Sequence, residues 1–185
     1  TAGNPAATGG GTDYTLADGT ATIAAGATTA NLATTVVNDV LDENNEIFIV
    51  TISDPNANVA LGTNTTHTYT IQDNDDPPEV QFNATASSAT EGTNGTLKVD
   101  LSAASGKDIT VDYAVQVAST ATGGGTDYTL ADGTLTISAG STTENITLAG
   151  VDDALDEDDE TVIVLLSNPT NSSLGTNATH TFTID

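Results

Sequence analysis

The chain repeats itself at the scale of a whole domain. ATGGGTDYTLADGT occupies Ala7 to Thr20 and recurs at Ala121 to Thr134, which offsets Asp13 from Asp127 by 114 residues. The match continues through TIAAGATT (Thr22 to Thr29) against TISAGSTT (Thr136 to Thr143), and through VLDENNE (Val40 to Glu46) against ALDEDDE (Ala154 to Glu160). After Pro55 and Pro169 the second copy is one residue shorter, and LGTNTTHTYTI (Leu61 to Ile71) then matches LGTNATHTFTI (Leu174 to Ile184). Self-similarity of this period restricts the fold to tandem copies of one module. The first copy enters at its middle, with no counterpart of Glu79 to Tyr113, and the second stops at Asp185, the position matching Gln72. A window onto a longer tandem array is the preferred explanation; a subunit that completes its sheet with a neighbour's strand is the other. The absence of Met fits a processed or excised segment, without initiator or signal peptide.

Within the complete copy, apolar residues alternate at period two. Val80 and Phe82 predict one strand, Leu97, Val99 and Leu101 a second, and Ile109, Val111, Tyr113 and Val115 a third. Leu135 with Ile137, Ile146 with Leu148, Val162 with Val164 and Leu166, and Phe182 with Ile184 bring the total to seven. The many β-branched Thr residues suit a pleated surface whose outer face stays polar. Asp18-Gly19 and Asp132-Gly133 are expected to form hairpin turns. Seven strands in a unit of this size predict an all-β, immunoglobulin-like Greek-key sandwich. Gln72 to Glu79, QDNDDPPE, ends in two prolines that favour a semi-rigid link. The boundary is placed there, giving 1–76 as the later part of a first repeat and 77–185 as a nearly complete second.

Charge narrows the function. Asp and Glu number 26 against 2 Lys and no Arg, for a formal net charge of -24. With only Lys98 and Lys107 as cations, nucleic acid and anionic membranes are excluded as unaided partners. Guanidinium recognition of phosphate or carboxylate is excluded too. No Cys is present, which removes disulfides, thiolate metal sites and a cysteine nucleophile. Hydrophobic residues make up 37% of the chain, enough to argue against disorder.

The acidic residues are clustered. Asp152, Asp153, Asp156, Glu157, Asp158, Asp159 and Glu160 fall within nine positions of the second copy, answered in the first by Asp39, Asp42, Glu43 and Glu46. Glu91, Asp127 and Asp13 lie in other predicted loops, and Asp73, Asp75 and Asp76 follow the last strand of the first copy. Loops at one end of a sandwich converge, and two carboxylates ~4 Å apart repel by ~4 kcal/mol at an effective dielectric near 20. Bound Ca²⁺, which takes 6–8 oxygen ligands and needs neither His nor Cys, would reverse that sign. Solvated loops, or adaptation to a saline habitat, would give the same composition.

The order GTDY, a β-hairpin, VDDALDEDDE running into TVIVLLSNP, and a closing strand with its acidic run (TIQDNDD in the first copy) resembles the Calx-beta domain of sodium/calcium exchangers, integrin β4 and bacterial surface proteins. The resemblance spans nearly the whole chain. It implies Ca²⁺ at one end of the sandwich, held in the second copy by Glu91, Asp127, Asp153, Glu157 and Glu160. For the first copy it implies Asp13, Asp39, Glu43, Glu46, Asp73 and Asp75. Asn74 departs from the acidic closing run, and the early-loop Glu of the first copy lies outside the chain.

Other features carry less. His67 and His180 are equivalent and are expected to face solvent from the last strand, and neither has the context of a nucleophile elbow. Gly9 to Gly11 and Gly123 to Gly125 lack the Lys and helix of a phosphate loop and are expected to be flexible loops. Asn64, Asn83, Asn94, Asn145, Asn171 and Asn177 open N-x-S/T sequons, a frequent chance match in so Thr-rich a chain. Tyr14 and Tyr128 are expected to pack at the sandwich edge. The sequence therefore predicts a non-enzymatic, calcium-stiffened repeat of a large extracellular bacterial surface protein or filament. Its predicted partners are calcium ions and neighbouring repeats, without membrane insertion. The alternatives are a regulatory calcium-sensor pair, a subunit polymerising by strand donation, and a Thr-rich face for carbohydrate or ice.

Overall fold

The computed structural model describes residues 4–56, 58–155 and 157–185. Asp156 of the acidic run lies outside the described residues. Contacts divide the chain between Asn74 and Asp75, within the Gln72 to Glu79 segment. Among the described residues all regular structure is strand, and no helix is long and apolar enough to cross a membrane.

In the first unit, β1 (Tyr14–Thr15) pairs antiparallel with β2 (Thr35–Val36), and β3 (Glu46–Thr51) with β4 (Thr66–Ile71). The second unit contains β5 (Glu79–Phe82), β6 (Ala86–Ala89), β7 (Gly95–Leu101), β8 (Ile109–Val115), β9 (Tyr128–Thr129), β10 (Gly133–Ile137), β11 (Thr143–Gly150), β12 (Glu160–Thr170), β13 (Ser173–Leu174) and β14 (Thr179–Ile184). Two five-stranded sheets result, ordered β10-β8-β12-β14-β6 and β13-β5-β7-β11-β9. Pairing is antiparallel except at β13 with β5 and β6 with β14.

Alternation explains the core. Val80 and Phe82, Leu97 and Val99, Ile109 and Val111, Ile146 and Leu148, Val162, Val164 and Leu166, and Phe182 are all buried and pack into one cluster. At roughly 1.5–3 kcal/mol for each fully buried side chain, this cluster drives the association of the two sheets. Tyr128, on the edge strand β9, joins it.

All seven predicted strands form, with three more. The additions β6, β9 and β13 are two to four residues long and include no apolar alternation, so their pairing follows from neighbours already in place. The hairpin expectation at Asp132-Gly133 is overturned. β9 lies beside β11 and β10 beside β8, so this dipeptide joins different sheets. There the Asp132 carboxylate accepts a hydrogen bond from the Val115 N–H at 2.9 Å. Asp18-Gly19 closes no hairpin either, because β1 pairs with β2 about twenty residues further on.

The first unit shows what the pairing partners contribute. In the second unit β10 hydrogen-bonds to β8 and β11 to β7. The matching stretch of the first unit, from Gly19 to Thr34, forms no strand, because β7 and β8 have no counterpart in this chain. Ile23, Leu32, Ile52 and Tyr69 stand exposed where Ile137, Ile146, Leu166 and Phe182 are buried. What remains packed is a stack of Tyr14 on Phe48, with centroids 3.9 Å apart, and of Phe48 on Tyr69 at 5.0 Å.

Candidate metal centre

Each repeat positions the Asp of its GTDY segment with a glycine turn. In the second unit Gly124 and Gly125 adopt φ of 81° and 95°, a region open to glycine and costly for other residues. The Gly125 N–H donates to the Tyr128 carbonyl (3.0 Å) and the Asp127 N–H to the Thr122 carbonyl (3.0 Å). Thr122 returns its own N–H to the Asp127 carboxylate in a short hydrogen bond. The first unit repeats this with Gly10 and Gly11 at 82° and 99° and with Thr8 donating to Asp13. The glycine triplets expected to be flexible loops thus form a hydrogen-bonded turn that holds the Asp, and the Thr five residues ahead of it is a positioning residue that sequence reasoning missed. Its signal was present, since Thr8 and Thr122 belong to the repeated segment.

In the second unit this turn meets the acidic loop. Glu91, Asp153 and Glu157 form one group of carboxylates in which one oxygen from each lies within 4.8 Å of the others. Asp127, Glu157 and Glu160 form another, so Glu157 is common to both. All five residues implied for this unit are therefore brought together. The Leu155 N–H donates to the Asp153 carboxylate at 2.6 Å and the Asp153 N–H to Glu91 at 3.1 Å, which fixes the loop around its own acids. Asp158 and Asp185 also line the cleft, beside Leu155 and Ile184. Asp158 belongs to the acidic run but neither it nor Asp185 is among the ligands that the resemblance implies; Asp185 arrives there because β14 ends at this pole.

The first unit reproduces part of the arrangement. Asp39 accepts from the Leu41 N–H at 3.0 Å, as Asp153 does from Leu155. Asp73 accepts from the Glu43 N–H at 3.1 Å, and its own N–H donates to the Asn45 side chain at 3.0 Å. Asp13, Asp39 and Glu43 all act on Glu46. Asp75 falls on the second unit's side of the division and belongs to neither carboxylate group. Asp42 is buried, a placement its sequence context did not indicate.

Repulsion within the clusters is visible in their proton affinities. Desolvation, then the hydrogen bond with Asp127 and the charges of Asp127 and Glu157, push Glu160 up to about 7. Glu46 is pushed equally far by desolvation and Asp13, with Glu43 and Asp39 adding to it. Desolvation together with Asp153, Asp127 and Glu91 raises Glu157 as well. Lys98 is paired with Asp100 at 2.8 Å on β7 and is spent there. A cluster of hard oxygen donors that holds protons near neutral pH fits a hard divalent cation, whose charge would replace the proton.

The raised values set a pH dependence for the ion-free protein. Between pH 4.5 and 7 the folded chain keeps protons on Glu160 and Glu46 that the unfolded chain has lost, so stability is highest at the acid end and falls as pH rises through this window. Asp100 and Asp112, both lowered from 3.8, titrate below it. Thermal melts in chelator should show a higher Tm at pH 5 than at pH 8; the opposite order would contradict the crowded carboxylates.

His180 departs from expectation. It is 3% exposed, because it shares the inward face of β14 with Phe182 and Ile184, whereas its counterpart His67 is exposed on β4. Its ring lies 5.3 Å from that of Phe82.

The Calx-beta domain profile matches residues 3–75 and again 73–185. No curated protein matches the chain in sequence. Among solved structures, the apo-form Calx CBD1 domain is similar at 21% identity and a TM-score of 0.53, over 59% of this chain and 96% of that one. The Calx CBD2 domain is similar at 18% identity and a TM-score of 0.51, over 57% and 84%. CBD12 of CALX1.1, described as a calcium binding domain, is similar at 21% identity and a TM-score of 0.53, over 58% of this chain and 45% of that one. The chain thus spans less than half of this last structure. At these identities the likeness shows a shared fold.

Proposed function

The chain belongs to the Calx-beta domain family, and from that membership we propose that it is a non-enzymatic calcium-binding repeat segment. The observation that carries this reading is the pair of carboxylate groups sharing Glu157. Glu91, Asp153 and Glu157 would hold one ion and Asp127, Glu157 and Glu160 a second. The turns at Thr122 to Tyr128 and Asp153 to Leu155 fix the donors before any ion arrives. Bound Ca²⁺ would supply the positive charge that lets five carboxylates share one pole of the sandwich. The first unit, with Asp13, Asp39, Glu43, Glu46 and Asp73, is a second and less complete site of the same kind.

We place the segment in a large extracellular bacterial surface protein or filament, stiffened by calcium at domain ends. Support comes from the tandem repetition, the absence of Cys and the excess of carboxylates. Millimolar calcium outside cells would fill even weak sites. A regulatory calcium sensor is the second reading, favoured by the likeness to the Calx calcium-binding domains. Size-exclusion chromatography with and without calcium separates the readings: a filament subunit assembles with calcium, whereas a sensor stays monomeric and changes shape.

Equilibrium dialysis with radioactive calcium tests the binding itself. Saturable uptake that equimolar magnesium does not displace is expected, since magnesium demands a smaller octahedral shell and sheds its water reluctantly. No uptake at millimolar calcium would overturn the proposal.

A further inference from the structure

Glu91 reaches the ion cluster on a strand with little to hold it. β6 reads Ala-Ser-Ser-Ala, is largely exposed, and lies at the edge of its sheet in parallel pairing with β14. Its backbone is tied by the Thr181 N–H to the Thr85 carbonyl and the Asp185 N–H to the Ala89 carbonyl, both at 2.9 Å. Burial of apolar side chains, which secures β12 and β14, contributes little here.

One side chain of the core reaches across to it. The Nδ1 of buried His180 lies 2.7 Å from the Ala84 carbonyl, just before β6. Its Nε2 lies 2.8 Å from the Ser87 hydroxyl, within β6. A carbonyl can only accept, so Nδ1 donates to it, and in the neutral ring Nε2 then accepts from the hydroxyl. Both ring nitrogens of a buried imidazole need partners, and here both partners belong to the β6 segment. The core thus grips the strand at two points through one ring.

Beyond β6 the chain runs directly into the cluster. The Glu91 N–H donates to the Asp185 carbonyl (3.1 Å) and the Gly92 N–H to the Val151 carbonyl (3.2 Å). The Glu91 carboxylate accepts from Asp153. A Cβ on Gly150 would come within 2.5 Å of the Thr93 carbonyl oxygen, so the loop docks backbone against backbone. A strand that frays from β14 would carry Glu91 away from Asp153 and Glu157.

We propose that Ser87 and His180 form a clamp that fixes β6 and, through it, positions Glu91 at the cluster. His180 and Ser87 are positioning residues here, and the assignment rests on the calcium reading of the second unit. The other partner of the imidazole is a backbone carbonyl, so the clamp reaches both a side chain and the main chain of the β6 segment. In the first unit the matching His67 is exposed, and Val36 stands where the second unit has Gly150.

The test uses Ser87→Ala in the full chain, since Ser87 is exposed and its loss leaves the core intact. In chelator, amide hydrogen exchange at Thr181, Asp185 and Glu91 should quicken by about 5–10-fold, the effect of losing one net hydrogen bond. In a calcium titration followed at the Gly92 and Asp153 amides, affinity should fall by about 10–100-fold, the range for partners that orient a metal ligand. In a Glu91→Gln background, Ser87→Ala should lower the affinity no further, because the clamp acts through Glu91. Unchanged exchange in Ser87→Ala, or an equal affinity loss with and without Glu91, overturns the clamp. A wild-type chain that takes up no calcium overturns instead the reading beneath it, while the exchange measurement still judges the clamp.

Discussion

Chelation lowers the melting temperature of the second unit by about 10–20 °C. A ligand that binds only the folded state stabilises by RT ln(1 + [L]/Kd), ~2.7 kcal/mol at a hundredfold excess over Kd. For a domain of this size each kcal/mol moves Tm by ~4–8 °C. The chemistry argues for binding to the folded state alone, because Glu91, Asp127 and Asp153 are far apart in sequence and meet only when the sheets have closed. Removing the ion also restores the mutual repulsion that, after desolvation, raises Glu157 and Glu160. Calorimetry at pH 8, where these carboxyls are ionised and protons no longer compete, gives the largest shift. A transition at the same temperature in calcium and in chelator would remove the metal reading and leave the acids as solvated surface.

The sandwich was legible in the sequence because its core strands are two-sided. Val162, Val164 and Leu166 alternate with residues facing outward, and this period marks a strand wherever one face is buried. β6 and β13 have no such signature. Ser87 and Ser173 lie in strands only because β14 and β5 already present an edge to them, a long-range cause that local pattern does not record. The misjudged position of His180 has another origin. Strand alternation sets it on one face with Phe182 and Ile184, a period-two signal that the Thr-rich composition of THTFTI masks. The reverse holds in the first unit. The repeated Ile23 and Leu32 promise strands there, yet without counterparts of β7 and β8 to pair with they stay exposed.

The candidate site was legible through resemblance more than through pattern. The acidic run shows charge, but not which of its members turn inward. Asp153, Glu157 and Glu160 enter the carboxylate groups, whereas Asp158 lines the cleft outside them, and no periodic pattern in the run DDALDEDDE marks that division. The selection comes from the turn that closes on Asp153 and from Glu160 opening β12, where strand alternation fixes the direction of its side chain.

Glu157→Gln is expected to abolish the calcium response of the second unit while making the ion-free protein more stable. Glu157 is the one residue common to both carboxylate groups, so its neutralisation removes a charged donor from each. Partners that merely orient a ligand cost ~10–100-fold in metal affinity, and loss of a shared ligand should exceed that range. In the absence of ions the sign reverses. Glu157 stands among Asp153, Asp127 and Glu91, and its charge destabilises them as theirs does it. Melts of the variant should therefore start above the wild type in chelator and end below it in calcium, so that the two lines cross. Asp158→Asn removes the same charge from the cleft wall but not from either group, and it should keep most of the calcium shift. A Glu157→Gln chain that retains the wild-type shift would move the ions away from this residue. Equal losses in Asp158→Asn and Glu157→Gln would show that calcium senses only the total charge of the pole, and the shared-ligand geometry would be lost as its explanation.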